Sequence, residues 1–212
     1  MGFTTRWCWR AIPVVLLCGG LLAQASGGKS QVKVLVYNNA RVPDSVLDHG
    51  GREAARIFHA VGITLAWMDC SHKSWGDRCR VSSDRNQFVL HIVPSGKTSS
   101  DLVFGEAFLS DQGVGKYADI FYERIDEAHQ QIGAGLPELL GAVAAHELGH
   151  LLMGRNAHTW IGLMAPIWRT ESLRLAGMGN LYFTNQQQLR MKARLQEDGN
   201  RVTVARRRGE ID

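Results

Sequence analysis

One stretch constrains this chain more than any other: Leu136 to Met164, LPELLGAVAAHELGHLLMGRNAHTWIGLM. It holds an H-E-x-x-H pattern at His146, Glu147 and His150 inside a run whose apolar residues (Leu139, Leu140, Val143, Ala144, Leu148, Leu151, Leu152) recur at helical spacing. Residues i and i+4 of a helix share a face, so His146 and His150 aim their imidazoles at one point. Neutral imidazole is a good ligand for Zn2+. Glu147 lies about 100° round the helix from His146, where it reaches a water at the metal rather than the metal itself, the place for a general base. Gly154 then suits a left-handed stop, and a third histidine, His158, follows the turn. Two histidines on a helix and one from a turn leave a fourth position open, as in a catalytic rather than a structural zinc site.

At these residues the sequence resembles the zincin metallopeptidases, and among them the metzincins, whose pattern is H-E-x-x-H-x-x-G-x-x-H followed by a methionine-containing turn. The order is kept here and the spacing is stretched: Gly154 comes one residue late and His158 two, with Asn156 where the third histidine usually stands. Glu171, at a downstream spacing like that of glutamate-liganded zincins, and Asn156 are the alternatives to His158 as third ligand. Met164 in IGLMAP is the Met-turn candidate, a hydrophobic floor beneath the zinc histidines; the alternative is an ordinary core methionine. Tyr182 is a weaker candidate, as a transition-state hydrogen-bond donor.

The rest of the chain fits one domain of the α+β class with an α/β-like opening. Gln31–Tyr37, Ile63–Met68, Gln87–Val93, Gly105–Leu109 and Tyr117–Tyr122 read as strands. A helix begins at Pro43-Asp44 and ends at Gly62, with Gly50-Gly51 a candidate kink. Glu123–Gln131 reads as a second helix, and Pro137 suits the first turn of the motif helix. Thr184 and Gln187 make a capping box that opens a small C-terminal helical part. A strand-helix-strand start implies a parallel pair joined by a right-handed crossover. The resemblance implies a twisted mixed sheet with a backing helix and an active-site helix. It also implies that the short strand Gly105, Glu106, Ala107, Phe108 lies along the cleft and pairs with extended substrate; an ordinary edge strand is the alternative.

Residues 1–25 read as a signal peptide: Arg6 and Arg10, an apolar run from Ala11 to Leu22, and the small-x-small site Ala23-Gln24-Ala25. The apolar run is short for a membrane span. Cys18 raises lipidation as an alternative, against which Leu17 stands. The expected catalytic domain is 26–197, with a polar, flexible tail at 198–212, and the destination is secreted or periplasmic. Beyond the leader, 22 basic residues face 20 acidic ones, and no basic face points to nucleic acid. Cys70 and Cys79 remain; in an exported chain such a pair reads as a disulfide, with metal binding beside His72 as the alternative. The expected function is an exported zinc-dependent metallopeptidase acting on peptide or protein, with Glu147 as base. The competing class is a zinc-stabilised, catalytically inactive peptide-binding protein.

Overall fold

In the computed structural model, residue 2 and residues 30–71, 73–96 and 103–209 are described, the last part of the C-terminal helix by its backbone alone. The leader segment (Gly2 apart), the alternative metal ligand His72 and the polar loop Lys97 to Asp101 lie outside them.

Five strands form one sheet: β1 (Gln31–Asn38), β2 (Thr64–Asp69), β3 (Gln87–Val93), β4 (Gly105–Phe108) and β5 (Tyr117–Phe121), in the order β2-β1-β3-β5-β4. The first four in that order run parallel, and β4 closes the edge antiparallel to β5. Strand period explains the two faces. Val32, Val34 and Val36 of β1, Phe88, Leu90 and Ile92 of β3, and Ala118 and Ile120 of β5 all turn to one side, into the main core. Leu35 and Val89 turn to the other and form a small cluster with Cys70. That outer cluster is roofed by a 3-10 segment, Lys73–Cys79, tied down by the Cys70–Cys79 disulfide. The Tyr37 hydroxyl donates to the Cys79 carbonyl at 3.2 Å.

Helices fill the inner side: α1 (Asp44–Ala60), α2 (Tyr122–Ile132), α3 (Leu136–Met153), α4 (Thr170–Gly177) and α5 (Asn185–Gly209). The β1-α1-β2 unit is the parallel crossover that the sequence order requires. α3 carries the H-E-x-x-H residues and is buried nearly all round: beyond Glu138, only His146 and His150 are not. A helix apolar on all sides belongs in a core, and the two half-buried imidazoles mark its one open side.

Two expectations need correction, and one helix was not expected. α1 is unbroken at Gly50-Gly51. The pair makes room for neighbours: a Cβ on Gly50 would come 3.0 Å from Leu140 Cδ2 of α3 and one on Gly51 2.7 Å from the Trp67 ring, while from the other side a Cβ on Gly141 would come 2.5 Å from the Gly50 carbonyl oxygen and 2.6 Å from the Glu53 Cβ. α4 is a helix that the sequence pattern does not announce, because only Ala176 of its residues is buried. α5 continues as helix to Gly209, past the start of the expected polar tail.

In an exposed helix Gly→Ala adds up to about 1 kcal/mol of stability. At Gly141 the sign reverses, since forcing atoms into a filled crossing costs about 1–3 kcal/mol. Chemical denaturation of Gly141→Ala is expected to show a loss of that order with an unchanged m-value.

Candidate metal centre and active-site cleft

α3 presents His146 and His150 one turn apart, and the loop after it brings back His158. One ligand nitrogen from each of the three lies within 4.8 Å of the other two. Nε2 of His146 and Nε2 of His150 are 3.1 Å apart. Two nitrogens bound to one tetrahedral zinc, each about 2 Å from it, sit roughly 3.3 Å apart, so the pair fits a shared ion. The His146 tautomer is set from behind: Nδ1 donates to the Leu163 carbonyl at 2.7 Å, which leaves Nε2 as the bare lone pair a metal needs. The same carbonyl accepts the Trp168 indole N–H at 3.1 Å.

Electrostatics agree with the ligand reading. Burial lowers His146 to about 4, and burial, with His146 and His158 nearby, lowers His150 to about 3. His158 sits exposed at the rim with its ring against the other two, and withdrawal of that side from water lowers its pKa as well. All three are therefore neutral near pH 7, the state that binds metal. Glu147 is buried, and burial first, then the charge of Glu106, raises its carboxyl to about 8. A dication beside it reverses that balance in favour of the carboxylate.

These residues open into a cleft of about 480 Å³. One wall is α3 with Val143, His146, Glu147 and His150; the opposite wall is the edge strand with Gly105, Glu106 and Ala107. Phe104 and Trp168 line the cleft, their ring centroids 6.3 Å apart, and the Trp168 ring stands edge-on to His146 at 5.7 Å. Gly105 brings the strand against the acid: a Cβ there would lie 2.7 Å from Glu147 Oε1 and 2.8 Å from the Asp119 carbonyl oxygen. β4 pairs only with β5 among the described strands, which leaves its far edge free. Phe108, at the end of β4, is exposed and does not line the cleft.

Met164 is fully buried under the helix turn that carries the histidines. Its sulfur would sit 2.7 Å from a Cβ on Gly149, so the glycine within HELGH makes room for it. Gly154 ends α3 at φ 70°, ψ −153°. The positive φ is as expected, but ψ takes it out of the left-handed helical basin into a region essentially confined to glycine. Glu171 is exposed on the first turn of α4 and does not join the three histidines. Asn156 lines the cleft, at φ 57°. Tyr182 is drawn elsewhere: its hydroxyl accepts from Arg56, whose guanidinium also lies 4.9 Å from the ring centroid. Sequence reading missed Phe104, the Leu163 carbonyl and Trp168 as parts of the site. Trp168 stands in the segment after the third histidine, but nothing in its local pattern says which way the indole turns.

The sequence matches no family model and no curated protein. Solved structures do match the fold. Archaemetzincin from Methanopyrus kandleri aligns over 81% of this chain and 99% of its own, with a TM-score of 0.52 at 15% identity. The fold is that of the metzincin-like zincins. Metalloproteinase-II from Bacteroides fragilis aligns over 79% of this chain with a TM-score of 0.50 at 13% identity. This chain spans only 54% of that protein's length. What the two neighbours share with it at such identities is the fold alone.

Two outcomes follow from the geometry. Gly105→Ala pushes the edge strand and the Glu147 carboxylate apart; a misplacement near 1 Å costs on the order of 100-fold in rate, so any reaction that uses Glu147 should slow by that order while affinity for added zinc is unchanged. The second concerns pH. A histidine whose folded pKa lies below its unfolded 6.5 binds fewer protons folded than unfolded, so stability drops as pH falls through 6.5 toward 4. Glu147, raised from 4.5 to about 8, acts the other way and removes stability as pH rises across that window. Thermal melts of the metal-free protein should therefore show a lower midpoint at pH 4 than at pH 6.5. Glu147→Gln should flatten the decline between pH 6.5 and 8.

Proposed function

We propose that the chain is an exported zinc-dependent metallopeptidase that cleaves peptide bonds, with His146, His150 and His158 holding the metal and Glu147 as general base. The observation that carries this reading is the convergence of three neutral imidazoles on one point at the wall of an open cleft, with a buried carboxyl from the same helix beside them. Zinc, when bound there, supplies a Lewis acid that polarises a carbonyl and lowers the pKa of water. Glu147 takes a proton from the attacking water and returns it to the leaving amine. The free edge of β4 at Gly105, Glu106 and Ala107 aligns an extended peptide by backbone pairing. Met164 supports the histidine-bearing turn from below, in the manner of a Met-turn.

Residues 1–25 act as the export leader, residues 26–197 as one catalytic domain, and 198–212 as a polar tail. The Cys70–Cys79 disulfide supports an oxidising destination, secreted or periplasmic. No helix among the described residues is long and apolar enough to cross a membrane. A zinc-stabilised peptide binder would use the same residues without turnover, so hydrolysis separates the two classes.

The test is to compare purified protein with Glu147→Gln and His158→Ala. The parent is expected to hold one zinc and cleave an unfolded protein substrate. Glu147→Gln should keep the zinc and lose at least about 100-fold in rate, and His158→Ala should bind zinc much more weakly. Full activity in Glu147→Gln would remove that residue from the mechanism. Undiminished zinc in His158→Ala would remove His158 as third ligand and move that role to Asn156, which lines the same cleft.

A further inference from the structure

The loop between His150 and His158 is wider than the metzincin pattern, and a wide loop is a poor holder for a ligand unless something else fixes it. Among the described residues its own backbone ties it at two places: the Gly154 N–H donates to the His150 carbonyl at 2.8 Å, and past the histidine the Thr159 N–H donates to the Met164 carbonyl at 3.0 Å. The Arg155 side chain reaches out to Asp111 at 3.1 Å, but the backbone carbonyls leading up to the histidine find their partners on α5. Arg190 Nη2 donates to the carbonyls of Met153 and Arg155, each at 2.6 Å, and Nη1 donates to that of Asn156 at 2.9 Å. Asn156 lies at φ 57°, and Arg190 holds the carbonyl of this unusual residue. One turn earlier on α5, Gln187 is only 3% exposed. Its Nε2 donates to Thr159 Oγ1 at 3.0 Å and to the Ala157 carbonyl at 3.4 Å, touching the residues on both sides of His158. α5 itself is seated in the core by Met191 and Leu195. The backbone on either side of the third histidine is thus pinned from the C-terminal helix, not from the helix that carries the other two.

We propose that Gln187 and Arg190 are positioning residues for the metal centre, holding residues 153–159 so that the His158 imidazole faces His146 and His150. This rests on the zinc reading above. A cation at a helix C-terminus is stabilising in its own right, and the contact with Met153 serves that role for α3. It does not account for the contacts with Arg155 and Asn156, or for a buried amide spent on the flanks of His158.

The experiment uses the full mature protein with zinc, and with cobalt(II) as a spectroscopic stand-in. Gln187→Glu keeps the oxygen that accepts from the Thr184 N–H at 2.8 Å, and so keeps the α5 cap, but replaces the donating amide by an acceptor. Arg190→Met removes the fork while keeping an apolar stem, and Arg190→Lys restores the charge and part of the donor set. Loss of such supporting groups typically weakens metal binding by about 10–100-fold. Gln187→Glu and Arg190→Met are expected to lose zinc affinity in that range. Their cobalt(II) absorption should move toward that of His158→Ala, while metal-free stability falls by clearly less than the zinc affinity does; Arg190→Lys should recover part of the affinity. Parent-like affinity and spectrum in both variants overturn the proposal. So does a loss of affinity matched by an equal loss of metal-free stability, which would make the contacts structural only. If Arg190→Met does not fold, Gln187→Glu decides alone. A parent that binds no zinc overturns the zinc reading itself and this proposal with it, an outcome distinct from a zinc-binding parent with indifferent variants.

Discussion

Everything in this fold depends on burying α3. A helix that is apolar round almost its whole circumference has nowhere stable to lie except between other layers. The sheet takes one side, α1 takes another through a glycine crossing, and the segment containing Leu163, Met164 and Trp168 takes a third. What remains is a single strip at His146 and His150. Histidines placed there are held rigidly, because the surrounding contacts permit no rotation of the helix that would not expose leucine to water. Rigidity of this kind is what a metal site requires of its scaffold.

The same burial sets the chemistry. Imidazoles and a carboxyl withdrawn from water lose the stabilisation of their charged forms. The site therefore starts with neutral ligands and a carboxyl that resists ionisation until a positive charge is near. Cost and use would coincide on the proposed reading: an arrangement unfavourable in the metal-free chain would become favourable with a dication bound, and the binding energy would be returned as fold stability.

Much of this was legible in the sequence, and where it was not, the reason is physical. β1 and β3 stand out because alternating β-branched residues declare a strand locally. The capping box at Thr184 is a contact between residues three apart, with the reciprocal bonds at 2.8 and 3.4 Å, so it too is written locally. Gly50-Gly51 was misleading because a glycine pair signals either a bend or a close approach, and only the partner helix decides. α4 carries too little buried surface to leave a periodic trace. Tyr182 stands in sequence near the site, yet its hydroxyl belongs to Arg56, a hundred and more residues earlier in the chain. The second duty of Gln187, toward Ala157 and Thr159, is equally invisible, since nothing around a glutamine announces a partner thirty residues away.

The free edge of β4 bears on how the molecule behaves among its own copies. Unpaired backbone groups at a sheet edge accept any extended chain, including one from a neighbouring molecule. Here the exposed strand is four residues long, too short to offer a long ladder, and it carries the exposed acid Glu106. Two copies meeting edge to edge would bring like charges together over a short span of hydrogen bonds. Brevity and one charge disfavour sheet growth from molecule to molecule.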